Sequence, residues 1–463
     1  RTQGPHIFCG SGGRRRPRVS SLVWFRRDLR LADNPAWAAA TLDHDEVAAL
    51  FVLDRRLIAT AGDLRRDLLF AHLHALDAEL RRLGGSLTEE TGDPELVVPA
   101  VAHRHDAVYW NRDYTPFSQR RDADVAAGTG PPIETYDGNV VRAPETVMTG
   151  GGTPYRVFTP YYRSWSKTPV EPWPQAGQAT IIAHGGIELP PVESPVAAPG
   201  EVGARERLER FLEVVDGYEA DRNRPDLNRT SHLSADLKFG TISARTVAEQ
   251  VGSATDGRQA FVRQLAWRDF YAQVLFHAPH SIDHSFRDDL GSIVWAEDDD
   301  AVQAWKDGRT GYPMVDAGMR QLLAEGWMHG RVRMVTASFL VKDLGIDWRI
   351  GERHFRRLLI DADTPQNVGN WQWVAGTGAD AAPYFRIMNP VAQSRRFDPD
   401  GAYIRRYVPE LASLDGPGIH APWERPLETA AAGITLGEDY PYPMIDHAEA
   451  REITLRRFEA AKT

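Results

Sequence analysis

The chain holds a single cysteine, Cys9, in 463 residues. That excludes an internal disulfide, a Cys-ligated zinc site and a cysteine-held iron–sulfur cluster. It suits a reducing compartment, and a cytoplasmic location is expected. No apolar run approaches the roughly 20 residues of a membrane span, so no membrane role is expected. Excess positive charge is missing too: 54 Lys and Arg against 64 Asp and Glu leave a net −10. The protein is therefore no bulk polycation, although a local basic groove would still bind phosphates. The GSGG sequence near the start lacks the Gly-Lys-Ser/Thr of a phosphate loop and follows no strand pattern. His277, His280 and His284 have ligand-like spacing, but Pro279 interrupts the helix that would align them. A capping or surface role is preferred there, and no metal is expected. Residues 1–20 are basic and Gly-rich without the apolar core of a secretory signal, and read as a disordered leader.

The length implies two or three domains, and the 42% hydrophobic and 25% charged content is that of a globular chain. SLVWF, VAALFVL and AVYW read as buried strands, and Leu69, Leu73, Leu76, Leu80 and Leu83 repeat at helical spacing between the second and third. Strand–helix alternation over 21–148 predicts an α/β domain with a doubly wound parallel sheet. Ligands on such sheets sit beyond the carboxyl ends of the strands, here at Arg26, Arg27 and Asp28 after Phe25. Residues 149–204 are rich in Gly and Pro and read as a long linker. From 205 to 463 helical spacing dominates, predicting an all-α domain with NRTSHLS and the WQW stretch as irregular inserts.

Eight of the 13 tryptophans follow position 205, as a flat aromatic ligand or an electron-transfer path would require; a rigid core would use some of them too. The densest segment is 361–390, DADTPQNVGNWQWVAGTGADAAPYFRIMNP, with two indoles, several amides, three aspartates and several glycines. Indole is costly to bury without a partner for its N–H; the alternative is an aromatic-rich core turn. RTSHLS (229–234) offers three hydroxyls of the kind that hold phosphates, or merely caps a helix at Ser234. Together with Tyr218, Trp267, Arg268, Asp361 and Asp363 it suggests a phosphorylated aromatic cofactor. Arg331, Arg333, Arg353, Arg356, Arg357, Arg386, Arg395, Arg396, Arg405 and Arg406 bunch around the Trp-rich segment. Singly, each is an ordinary surface charge.

Six ordered blocks carry a resemblance: FRRDLRLADNP (25–35), RTSHLSADLKFGTIS (229–243), LAWRDFYAQ (265–273), WKDGRTGYPMVDAGMRQL (305–322), WMHGRVRMVTASFLVKDL (327–344) and NWQWVAGTGADAAPYFRIMNP (370–390). The chain resembles the DNA photolyase/cryptochrome family from Ser21 onward, and is most similar to bacterial enzymes acting on cyclobutane pyrimidine dimers. The resemblance implies an antenna-binding domain, a linker and a helical domain that binds FAD, with repair of UV-damaged DNA driven by light. Tyr218, Thr230, Ser231, His232, Leu233 and Ser234 would hold the diphosphate and ribose side of FAD. Arg268, Asp361, Ala362 and Asp363 would meet the flavin end, with Arg333 paired to Asp361 and Asn367 facing flavin N5. Trp371, Trp348 and Trp305 match the electron-donating indoles. Gln264, Trp267, Gly330, Met334 and Trp373 match the lesion pocket, and Arg222, Arg331 and Arg386 would bind phosphates. The damaged bases must leave the duplex to reach a buried flavin, as the general account of base flipping states for photolyases.

Two positions depart from the pattern. Gln264 stands where many relatives have a glutamate that steadies the thymine carbonyls, and Gly330 replaces an asparagine; both weaken the lesion pocket. The same Gly330, with Met334, lacks the second histidine expected of an enzyme for the 6–4 photoproduct. Arg112 stands where the folate-binding type carries an acid, so a deazaflavin antenna, held near Trp24 to Arg27 and Asp113, is favoured over methenyltetrahydrofolate. A monomer is expected. The alternative function is a cryptochrome-like blue-light receptor, against which stands the lack of a long tail after the final helical segment.

Overall fold

The computed structural model describes residues 19–461 apart from 187, 194, 288, 289, 291, 292 and 384, so nearly all of the expected leader lies outside the described residues. Six strands, β1 (Ser20–Phe25), β2 (Glu46–Leu53), β3 (Leu87–Thr91), β4 (Ala107–Asn111), β5 (Ile133–Tyr136) and β6 (Thr180–Ile182), form one parallel sheet in the order β3-β2-β1-β4-β5. β6 shares an edge of β2 with β3, taking Glu46–Ala48 while β3 takes Ala49–Leu53. Side chains alternate across the strands. Val23, Phe25, Ala49 and Phe51 pack into one core, whereas Leu22, Trp24, Leu50, Val108 and Trp110 pack into another. Both faces are thus covered, which is why these strands read as unbroken apolar runs. The strand order reverses between β1 and β4, so the loops at Arg26–Asp28 and Arg112–Asp113 face one crevice.

The predicted leucine helix spans Asp63–Arg82, with Leu68, Leu73, Leu76 and Leu80 buried and Leu83 left exposed past its end. β3, β5 and β6 escaped the sequence pattern because they are short, sit at the sheet's edges and carry Thr and Glu. The segment expected as a bare linker contributes to both halves. Besides β6 it forms the helix Phe158–Trp165, whose Phe158, Tyr161 and Trp165 are buried against the Asp256–His277 helix.

The second half is helical. Contrary to expectation, the WQW stretch is regular, lying within the helix Thr364–Ala375 with Pro365 in its first turn and Gly376 in left-handed conformation at its end. The halves are locked together by buried arginines. Arg30, 2% exposed, donates to the carbonyls of Gly240 (3.0 Å), Gly138 (2.9 Å) and Asp33. Arg65 donates to the Leu359 carbonyl at 3.0 Å. Gly240 has φ +72°, and a Cβ there would lie 2.0 Å from the Arg27 carbonyl oxygen, so only glycine lets the two backbones touch. Ala235, Phe239 and Ile360 of the helical half complete a core of the sheet domain.

A π-turn at Phe339–Asp343 receives the final helix, His447–Ala460. There the Lys342 ammonium, 1% exposed, donates to the Ala375 carbonyl at 2.8 Å and lies 3.6 Å from the Phe458 ring. Burial lowers the Lys342 pKa to about 7. Between roughly pH 7 and pH 10 the unfolded chain therefore carries the extra proton, and stability rises with pH in that window. Urea midpoints should climb from pH 7 to pH 9 in the wild type, and Lys342→Met should flatten that rise.

Candidate functional site

The turn Asp361–Asp363 joins the helices Trp348–Leu358 and Thr364–Ala375. Asp361, its side chain 2% exposed, is held in a two-point pair by Arg333, Nη2 to Oδ2 at 2.8 Å and Nη1 to Oδ1 at 3.1 Å. Arg333 also donates from Nε to the Met328 carbonyl at 2.8 Å, which fixes the guanidinium plane. Ala362 packs at the edge of the helical core. Asp363 occupies the cap position of the next helix yet makes no cap bond. Its carboxylate instead meets Arg27 at 2.9 Å and Arg268 at 3.9 Å.

One turn further on, Asn367 donates through Nδ2 to both the carbonyl and the Oε1 of Glu352, each at 2.9 Å. Its own Oδ1 has no hydrogen bond among the described residues, so the amide presents an acceptor to the site. Burial pushes the Glu352 carboxyl upward, and Arg356 at 3.1 Å opposes that.

The Asn228–Leu233 loop contains two non-glycine residues with positive φ, Asn228 at 49° and His232 at 52°. His232 Nε2 lies 2.8 Å from Asn228 Oδ1, and the Leu233 amide donates to Ser231 Oγ at 3.3 Å. Strained backbone of this kind persists only where its surroundings impose it. Ser234 begins the helix Ser234–Phe239 rather than capping it; the cap position is Leu233 and no side chain bonds there. The simple capping alternative therefore fails. Thr230 Oγ1 is buried with no partner. Tyr218 packs edge-on to Phe211 and Phe261 at 5.6 and 5.2 Å.

The Asp256–His277 helix carries Gln264, Trp267 and Arg268. Arg268 ties the site to the rest of the chain by donating to the carbonyls of Asn139 (2.5 Å) and Leu237 (3.0 Å). Trp267 is half-buried and stacked on Phe158 at 3.7 Å and 9°. Gln264 accepts from Arg222 at 3.4 Å and donates to the Ala260 carbonyl at 3.2 Å. Met334 and Trp373 are half-buried, whereas Gly330 is exposed with nothing within 4 Å of an added Cβ.

Arg331 binds Asn223 Oδ1 at 2.7 Å and lies 4.5 Å over the Phe397 ring. Burial lowers its pKa, and Arg222, Arg396 and Arg386 lower it further. The arginines bunched in the sequence thus sort into two groups. Arg333, Arg356, Arg395, Arg405 and Arg406 pair with Asp361, Glu352, Glu424, Asp415 and Glu325; Arg331, Arg386 and Arg396, joined by Arg222, form one basic patch with no carboxylate partner among the described residues.

Trp371 and Trp305 meet edge to face at 6.2 Å and 74°. The tip of Trp371 lies where a Cβ on Gly351 would be, 2.1 Å away, so that glycine admits the indole. Trp348 is 1% exposed and Trp305 is 0% exposed, its N–H bound to the Thr336 carbonyl at 3.0 Å. Trp305 therefore has no solvent contact. Half-buried Trp295 adjoins Ala296, whose amide donates to the Gly345 carbonyl at 2.8 Å, three residues before Trp348.

Residues 21–178 match the family model for DNA photolyase, and residues 261–460 match that for the FAD binding domain of DNA photolyase. A deoxyribodipyrimidine photo-lyase of Halobacterium salinarum is 42% identical, the match covering 95% of this chain and 99% of that protein. The chain belongs to the DNA photolyase/cryptochrome family. A class III photolyase of Agrobacterium tumefaciens superposes with a TM-score of 0.90 at 36% identity over 98% of this chain and all of that one. A photolyase of Sulfolobus tokodaii with two FAD molecules gives 0.85 at 34% identity over 96% of this chain and all of that one. The Synechocystis cryptochrome gives 0.87 at 30% identity over 95% and 99%.

The donor set fits the FAD that this family binds. The Asn367 oxygen can accept from a flavin N–H, and the unpartnered Thr230 hydroxyl can donate to a phosphate. The Arg333 cation suits a reduced, anionic flavin. Glu352, which turns Asn367, and Phe158, which backs Trp267, were missed in the sequence. Nothing in either segment's periodicity points at a partner more than ten residues away.

Breaking the Arg333–Asp361 pair from the arginine side strands a buried carboxylate. Arg333→Ala should cost the apoprotein about 3 kcal/mol, the low end for a broken buried pair because Arg333 keeps some solvent contact. Urea unfolding reads the loss, and Arg333→Met with Asp361→Leu should restore most of it.

Proposed function

We propose that this chain is a deoxyribodipyrimidine photo-lyase that repairs cyclobutane pyrimidine dimers in UV-damaged DNA under light, using FAD. The observation that carries this reading is that the Thr364–Ala375 helix packs on both the Asp256–His277 and the Gly330–Ser338 helices, and each of the three supplies residues to both tasks. The Asp256–His277 helix offers Arg268 to the cofactor and Gln264 and Trp267 to the lesion. The Gly330–Ser338 helix offers Arg333 to the cofactor and Met334 and Arg331 to the DNA. The Thr364–Ala375 helix offers Asn367 to the cofactor and Trp373 to the lesion. Reduced FAD, once bound and excited, supplies the electron that no side chain can. The protein's part is to hold both partners at one mouth and to exclude water between them.

Trp267, stiffened by Phe158, and Trp373 give apolar walls for the flipped dinucleotide. Gln264 is oriented by Arg222 so that one amide N–H remains to donate to a base carbonyl. Arg222, Arg331, Arg386 and Arg396 take the flanking phosphates, contacts that carry little sequence information and suit damage at any site. For flavin photoreduction, Trp371 and Trp348 are the buried donors. Trp295 suits the outlet better than Trp305, because an oxidised indole needs solvent to shed its proton. A deazaflavin antenna in the crevice beside Trp24 and Arg26 remains favoured over folate, since Arg112 is committed to Asp137 (2.7 Å) and Glu145 (2.9 Å). A monomer in the cytoplasm suffices, as one chain carries every residue named. The receptor alternative draws on the cryptochrome likeness and on Gln264 and Gly330.

Blue light on the pre-reduced protein with a dimer-containing oligonucleotide should restore thymines; dark binding without restoration would establish the receptor instead. Trp371→Phe should abolish photoreduction of the oxidised flavin while leaving repair by pre-reduced enzyme intact. Arg331→Ala should weaken binding to irradiated DNA and reduce the slope of log K against log salt by about 1.

A further inference from the structure

Arg27 and Asp113 leave the carboxyl ends of β1 and β4, where an α/β sheet ordinarily binds a ligand of its own. In this chain Arg27, backed by Asp113, reaches into the other half of the molecule. A line of alternating charges runs from Asp113 Oδ1 to Arg27 Nη1 at 3.1 Å, from Arg27 Nη2 to Asp363 Oδ1 at 2.9 Å, and from Asp363 Oδ2 to Arg268 Nε at 3.9 Å. None of the four side chains is more than 21% exposed. Arg27 Nε donates to the Lys238 carbonyl at 3.2 Å, and the backbone contact at Gly240 presses the Arg27 main chain against the helical half.

The electrostatics run the same way. Burial works against the Arg27 charge, yet Asp363 and Asp113 raise its pKa above the ordinary arginine value. Burial likewise works against the Asp113 charge, yet Arg27, Arg121 and Arg26 hold that carboxyl well below its usual range. The Lys238 ammonium faces the same cluster and is driven well down by burial, with Arg65 and Arg27 adding to the effect. Arg27 is thus the cation that the two carboxylates share.

Asp363 provides an independent observation. An aspartate at a helix cap position ordinarily accepts from an amide of the first turn. Asp363 makes no such bond, and its carboxylate is drawn toward Arg27 instead.

We propose that Arg27 is a positioning residue of the FAD site, contributed by the sheet domain, which holds the Asp363 carboxylate out of its helix cap and toward the flavin. This rests on the FAD reading above and reassigns Arg27 and Asp113 from the antenna to the flavin. Asp113 holds Arg27, Arg27 holds Asp363, and Asp363 with Arg268 meets the cofactor. Without Arg27 the Asp363 side chain collapses onto its own helix start or remains a buried, half-compensated anion.

The test is a double-mutant cycle in the full-length chain, reading FAD affinity of the apoprotein by flavin fluorescence titration beside its thermal midpoint. Arg27→Met should weaken FAD binding about tenfold or more, and Arg27→Lys should recover part of the loss. Asp363→Asn should also weaken it, and the pair together should lose no more than the worse single variant, because the two act as a unit. Wild-type affinity in Arg27→Met, or losses that simply add, would overturn the proposal. Should Arg27→Met fail to fold, the same cycle with Arg27→Lys decides. Failure of the unmodified chain to bind FAD would instead remove the proposed function.

Discussion

The structure depends on buried arginines that cross from the sheet domain into the helical one. Arg30 and Arg65 each donate to a backbone carbonyl of the other half, and Arg27 pairs with a carboxylate and donates to a carbonyl there, while others of their donors are used within the sheet domain. Guanidinium is suited to this because it stays charged when desolvated and offers several donors in a fixed plane. With those donors satisfied on both sides, the halves cannot slide without stranding buried charge. The site residues on the second half are therefore referenced to a rigid sheet rather than to a hinge.

That rigidity is carried inward by helices rather than loops. Arg333, Asn367, Trp371 and Trp267 all project from helix interiors, and each is held by a second residue: Asp361, Glu352, the space over Gly351, and Phe158. The Asn228–Leu233 segment is irregular, and there positive-φ backbone and an unpartnered hydroxyl coincide. In the proposed assignment the two tasks share the same three helices, so anything that tilts one of them would alter cofactor and DNA contacts together. The basic patch differs in kind. It is assembled from helix ends and from the segment around Arg386, and its arginines have no carboxylate partner among the described residues of an otherwise acidic protein.

Much of this was legible beforehand. β1, β2 and β4 announced themselves because burial on both faces demands continuous apolar runs, and the helical half showed its period of 3.6. The six motif blocks pointed to the family that the comparisons show. The WQW segment misled because its aromatic and Gly content suggests a turn, whereas Pro365 starts and Gly376 stops an ordinary helix. β6 and the Phe158–Trp165 helix were hidden within Gly- and Pro-rich sequence, where a short element is stabilised by what it packs against rather than by its own pattern.

The amino-acid order alone determined the two-part architecture, the aromatic and arginine inventory, and the family to which the motifs belong, since these rest on periodicity and residue type. Which arginine is neutralised and which is not, which indole reaches solvent, and which domain holds Asp363 were decided only by tertiary structure. Those properties depend on a partner far away in the chain and on the burial it imposes; Arg27 and Asp363 are separated by most of the sequence yet lie 2.9 Å apart.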